Sequence, residues 1–319
     1  MVHRLALALA ILPLLGDAAH AQAVTMREYP LPIFSHPHDV APAADGGIWY
    51  TPQLAGGLGW LDPSTGKTRR IPFGPGSSPH GVIVGPDGTA WVTDEGLNAI
   101  VRVDPSTGRV TRYTLPPAAA RAELNTAAFD GQGILWFTGQ AGWYGRLDPS
   151  SGKLDVFPAP RGRGPYGMHA LPTGPVWFVS LAAGYLGRID PIASALAVIE
   201  LPSPGQGPRR VWLDSRGEPW VTGWYSGKLL HYDPSSSAWT QLDVPGTHSQ
   251  PYAVYVDERD RVWISDFGAN AIQLYDPREG RFTTLPVPTR HAEIRQLAGR
   301  PGEVWGAESG ANKLLVIRY

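Results

Sequence analysis

The chain has 319 residues, a net charge of −1 at pH 7 and 17% charged residues, so it presents no broad field to nucleic acid or to an anionic membrane surface. Its 38 glycines and 32 prolines accompany 12 tryptophans and 43% apolar residues, a mixture that favours many turns, few helices and a large core over disorder. Cysteine is absent, which excludes disulfides, thiolate metal sites and a cysteine nucleophile.

In chain order, the first element is "MVHRLALALAILPLLGDAAHAQA", residues 1–23. Arg4, an apolar run from Leu5 to Leu15 and the small-residue sites Ala19-His20-Ala21 and Ala21-Gln22-Ala23 predict a secretory signal peptide, too short to span a bilayer as a mature helix. The mature chain is expected to be periplasmic or secreted, without a membrane span. Residues 24–319 are read as one domain.

That domain opens with "TMREYPLP", residues 25–32, and then repeats itself. Trp49, Trp91, Trp136, Trp177, Trp220, Trp263 and Trp305 follow one another at intervals of 42, 45, 41, 43, 43 and 42 residues. An Asp-Pro turn keeps the same beat at Asp62, Asp104, Asp148, Asp190, Asp233 and Asp276, several times as a hairpin signal such as "DPSTGK". Within one unit, "HGVIV", "AWVTD", "AIVRVD" and "RVTRYTLP" read as four strands with turns between them. Four strands per unit and seven units predict an all-β, seven-bladed β-propeller. The last unit has three strands before Tyr319, and "TMREYPLP" is similar to the fourth strand "VTRYTLP" at residues 110–116, so the N-terminal strand is expected to close the ring.

The first strand of each unit runs away from one face of the disc and the second returns to it. Residues eleven before each Trp and three or four after it therefore share that face. The first set is His38, His80, Asn125, Tyr166, Arg209, Tyr252 and Ile294; the second includes Asp94, Glu95, Asp266 and Glu308. Around the ring, His38, His80, Asp94 and Glu95 of blades 1 and 2 meet Asp266, Glu293 and Glu308 of blades 6 and 7, while Arg209, Arg210 and Tyr166 occupy another sector. Imidazole can take a proton, and carboxylates can hold a hard cation, Mg²⁺ or alternatively Ca²⁺. Asn125, Tyr166 and Arg209 are candidate substrate contacts. Trp143, Trp212 and Trp224, off the beat, could line an apolar pocket. The expected partner is a small molecule at one end of the central channel of a monomer.

Units reading "PHGVIVGPDGTAWVTDEGLNAIVRVDPSTG" and "PYGMHALPTGPVWFVSLAAGYLGRIDP" resemble the virginiamycin B lyase (streptogramin lyase) family over nearly the whole mature chain. The resemblance implies a magnesium-dependent lyase that opens a cyclic depsipeptide at its ester by elimination, with histidine as base and glutamates positioning the metal. It places the active residues on blades 6 and 7. There Tyr252 stands at a histidine position, Glu293 matches a glutamate, Ile294 and Arg295 replace a Pro-His pair, and Glu308 matches the second acid; His291 reaches the histidine position by a shifted alignment. Pseudo-symmetry allows the same chemistry on blades 1 and 2, as His38, His80 and Glu95. Two further readings are a metal-dependent lactonase and a propeller that binds a ligand or protein without chemistry.

Overall fold

The computed structural model describes residues 24–319; the leader expected at residues 1–23 lies outside them. Seven four-stranded antiparallel sheets form the ring, and the one helical element is a three-residue 3-10 turn, Pro117–Ala119, among the described residues. Six blades use consecutive strands. The seventh is completed by the strand Thr25–Pro30 on the outer edge of Lys313–Arg318, with Thr25 opposite Arg318 and Pro30 opposite Lys313, so the expected closure is present. No helix among the described residues is long and apolar enough to cross a membrane.

The recurring tryptophans all sit on the second strand of a blade and are all buried. Three are fixed by an aspartate six residues earlier, which turns the first hairpin and accepts the indole N–H: Asp130 to Trp136 and Asp257 to Trp263 at 2.8 Å, and Asp214 to Trp220 at 3.3 Å. The Asp-Pro series does turn chemistry on the outer hairpins. In the first of them the Asp62 carboxylate accepts from the Ser64 amide at 2.8 Å and the Thr65 hydroxyl at 2.6 Å.

A second regularity positions the site. Every inner strand carries a register shift near its start, for example between Pro37 and Val40 and between Pro208 and Val211. Such a bulge re-aims side chains. In five blades the freed amide is taken by a hydroxyl two residues after the tryptophan, which also donates to a carbonyl of the next blade; blades 4 and 7 have Val179 and Ala307 there. Thr51 accepts from Asp39 N at 2.8 Å and donates to His80 O at 2.8 Å. Thr222 accepts from Arg210 N at 3.1 Å and donates to Tyr252 O at 2.9 Å, and Ser265 joins Ala253 N at 3.0 Å to Ile294 O at 2.7 Å. Thr93 and Thr138 do the same in blades 2 and 3. Each staple holds the bulged residues of one blade in register with the next.

Candidate functional site

The inner strands begin on one face of the disc, with the loops that precede them and the loops that follow the second strands. His38, His80, Asn125, Tyr166, Arg209, Tyr252 and Ile294 all lie at that end of the channel, and all but Arg209 are buried; in blade 7, however, Ile294 pairs with Glu308 as Pro251 pairs with Asp266, so Arg295 and not Ile294 is the equivalent of Tyr252.

On blades 1 to 3 the polar groups form one network. The His38 and His80 rings lie 3.7 Å apart between centroids at 42°. His38 Nδ1 meets Asp39 Oδ1 at 2.8 Å, and Arg210 reaches across the channel to the same oxygen at 2.9 Å and to Thr126 Oγ1 at 2.7 Å. Gly167 makes this reach sterically feasible, because a Cβ there would meet Arg210 Cα at 2.7 Å. Thr126 donates to Asn125 Oδ1 at 2.8 Å, so the Asn125 amide donates to His80 Nε2 at 3.1 Å and the His80 proton resides on Nδ1, which has no partner. Burial first, then Arg210 for His38 and the neighbouring His38 for His80, pushes both imidazoles well below their ordinary range. The contact between His38 and Asp39 is therefore a hydrogen bond of a neutral ring, and the ion pair of this network is Arg210 with Asp39. Burial raises the Asp39 carboxyl, and Arg210 opposes that rise.

Blades 4 to 6 differ. Tyr166 and Tyr252 share a hydroxyl–hydroxyl hydrogen bond of 2.7 Å. Arg209, half-buried, donates to the Tyr166 hydroxyl at 3.0 Å, and its guanidinium lies 3.8, 4.6 and 4.8 Å from the ring centres of Tyr252, Trp224 and Tyr166. Phe267 stacks on Tyr252 at 4.8 Å and completes the aromatic wall. Exposed apolar side chains stand on the loops of the same face: Ile33 at 79%, Phe34 at 75%, Leu54 at 67% and Tyr225 at 66%. The other off-beat tryptophans lie elsewhere. Trp143 packs into the core between blades 2 and 3, and Trp212 stacks on His169 at 4.0 Å beside the channel.

From the opposite face a cavity of about 770 Å³ follows the channel axis, walled by Val82, Ala127, Met168, Val211, Val254 and Leu297, and it ends on Asp39, Thr126 and Arg210. The polar network thus lies between this cavity and the loop face.

The acidic candidates are separate from the network. Asp94 is spent on backbone amides of Ser78 and Leu97, both at 3.0 Å, and on the Ser77 hydroxyl, whereas Asp266 takes those of Gln250 at 2.8 Å and Ala269 at 3.2 Å with Oδ1 and keeps Oδ2 buried without a partner. Glu95 is half-buried on a loop of blade 2, its carboxyl raised by burial and then by Glu123 and Asp94. Glu293 sits 3.4 Å from Arg295, and His291 is exposed on the preceding loop. Glu308 is fully buried opposite Ile294, with neither carboxyl oxygen hydrogen-bonded; burial, then the Glu28 carboxylate, pushes it up to about 8. Glu28 in turn holds the Lys313 ammonium at 2.6 Å.

A hard cation needs several unclaimed oxygens converging on one point. Among the described residues the two groups of potential ligands with donors within 4.8 Å of one another are His38–Asp39–His80 and Asp214–Glu218–His231, and neither contains Asp94, Asp266, Glu293 or Glu308. Each group already holds a guanidinium, Arg210 on Asp39 in the first, Arg216 on Glu218 at 2.7 Å in the second. Of the residues at the family's positions, Glu308 is the one with both carboxyl oxygens unclaimed, and magnesium is commonly held by one or two carboxylates together with water.

Two members of the network escape a reading of the repeat. Asp39 and Thr126 follow the ring positions by one residue, and only the bulge turns both neighbours inward; the Ser/Thr two residues after Trp is the sequence signal that marks their bulges.

Comparison with known proteins agrees with this architecture. Virginiamycin B lyase from Staphylococcus aureus superposes with a TM-score of 0.85 at 20% identity, covering 93% of this chain and 100% of that one. A streptogramin B lyase gives 0.84 at 23% identity over 92% and 97% of the two chains. A catalytically inactive virginiamycin B lyase from S. aureus with quinupristin gives 0.84 at 20% identity, covering 93% and 100%. These likenesses establish the fold. No curated protein matches the chain by sequence. The family model described as "Virginiamycin B lyase family" matches residues 18–267, well over half of the chain. On that match, the chain belongs to the virginiamycin B lyase family.

Proposed function

We propose that this protein is a ligand-binding member of its family that takes an amphipathic small molecule on the loop face, outside the cytoplasm, without elimination at the family's usual position. The observation that carries this reading is the pair Tyr252 and Arg295. Both stand where the resemblance expects histidines; the buried Tyr252 hydroxyl is engaged with Tyr166, and the half-buried Arg295 guanidinium with Glu293. A phenol is a poor base at neutral pH, and a guanidinium, which has no acceptor, is none. The leader-like first 23 residues support an extracytoplasmic location. A ligand of the quinupristin kind, which the inactive S. aureus lyase carries, suits a face with Ile33, Phe34, Leu54 and Tyr225 exposed and a polar floor beneath.

A hydrolytic reading rests on a different observation. His38 Nδ1 on Asp39 leaves Nε2 as the basic nitrogen, with Arg210 alongside, which is the equipment of a lactone-opening base. One experiment separates the alternatives. Purified protein is incubated with a streptogramin B and a small lactone panel, binding is followed by calorimetry, and products are resolved by chromatography and mass. Binding without product is the expected result. A linear product of unchanged mass, lost in Glu308→Gln, overturns the proposal in favour of elimination; a product heavier by one water, lost in His38→Asn, establishes hydrolysis. The absence of both binding and product also overturns it.

A further inference from the structure

Three arginines crowd the loop-face end of the channel. Arg210 has the Asp39 carboxylate at 2.9 Å and Arg295 has Glu293 at 3.4 Å. Arg209 has no carboxylate within ion-pair distance among the described residues; its hydrogen-bond partner is a phenol, and its Nε is buried with no acceptor. A cation withdrawn from water normally acquires a counter-ion. Here aromatic faces take over part of that role, and they also fix the guanidinium in place between Tyr166, Trp224 and Tyr252. A planar, pre-oriented donor set with unused N–H groups is suited to a carboxylate.

The imidazoles do not offset the charge, because His38 and His80 are neutral, and both experience the positive field of Arg210 and Arg295. Asp39 is already paired with Arg210 and hydrogen-bonded by His38, both at Oδ1. Arg209 is therefore left without a carboxylate of its own, walled by Trp224 and Phe267 and ringed further out by apolar side chains.

We infer that Arg209 is an anion-recognition site and that the ligand of the loop face carries a carboxylate next to an apolar or aromatic body. The inference rests on the loop face being the binding face and adds the ligand's charge. Position alone would not distinguish Arg209 from a structural stay between blades 4, 5 and 6, so the test must read charge preference.

The probes are 1-naphthaleneacetate, its uncharged amide and the cation 1-naphthylmethylammonium, titrated against the full mature chain with calorimetry and tryptophan fluorescence. The acetate is expected to bind about tenfold tighter than the amide, with the cation weakest, and the gap should narrow as salt is raised. Arg209→Gln should bring acetate and amide to equal affinity, and Arg209→Lys should keep part of the preference, which guards against a variant that loses its fold. Equal binding of the three probes by the wild type overturns the inference and leaves the ligand-binding reading standing. A preference that survives in Arg209→Gln overturns it as well. If no probe binds up to the millimolar range, both fall.

Discussion

The two arcs of the channel mouth occupy equivalent positions of the repeat and have opposite chemistry. On blades 1 to 3, His38, Asp39, His80, Asn125 and Thr126 bond to one another and to Arg210, and the one cation among them has its carboxylate. On blades 4 to 6, Tyr166, Arg209 and Tyr252 surround a cation without a counter-ion. A buried network whose charges are paired with one another holds the fold together and has no free charge to offer a ligand. An uncompensated group beside solvent has that capacity. The histidine arc, which the repeat makes conspicuous, is on this argument the structural half, and the arginine arc is the recognition half.

Three substitutions test that division. Asp39→Ala strands Arg210 and His38 in the interior, and loss of one partner of a buried ion pair costs about 3–5 kcal/mol. The melting temperature should drop by about 5–10 °C. An unchanged melting curve would remove the structural role from the histidine arc. The same arc predicts an acid limit. Its imidazoles are held below the ordinary histidine range, so stability is full above about pH 6.5 and declines as the pH falls toward the depressed folded values.

Glu308 belongs to neither arc and should behave in the opposite sense. Folding raises its carboxyl from 4.5 to about 8, so the folded chain keeps a proton that the unfolded chain releases. Stability should therefore fall as the pH rises from about 4.5 to about 8, by on the order of 1–3 kcal/mol. Glu308→Gln should flatten that window and melt higher than the wild type at pH 8. An identical pH profile in the two proteins would show that Glu308 ionises freely. The smallest effect is expected on the recognition side. Tyr252→Phe removes a single hydroxyl–hydroxyl bond and should cost about 1 kcal/mol or less in stability. It leaves the ring over Arg209, so acetate binding should persist; loss of binding would mean that the hydroxyl, and not the caged guanidinium, recognises the ligand.

Much of the fold was legible because its signals are local and periodic. Seven tryptophans at nearly constant spacing, the Asp-Pro turns and the similarity of residues 25–32 to residues 110–116 predict seven blades and the closing strand, all of which are present. The ring positions were legible for the same reason, since two strands of fixed length return to the same face. What each ring residue does was not. Asp94 and Asp266 resemble metal ligands in the sequence and are loop caps in the structure, because a strand-end carboxylate is equally close to its own blade's amides.

By itself, the sequence determined that the chain would close on itself around a channel and which residues of blades 1 to 6 would stand at its mouth; in blade 7 the strand register puts Arg295, one residue past the expected Ile294, at that position. Only the tertiary structure decided how they combine. The pairing of Arg210 with Asp39 joins positions 171 residues apart across the axis, and that of Tyr166 with Tyr252 joins blades 4 and 6. Spacing along the chain sets where a side chain begins. Bulge geometry, the room left by Gly167 and competition for one carboxylate set where it ends, and these left Arg209 without a counter-ion.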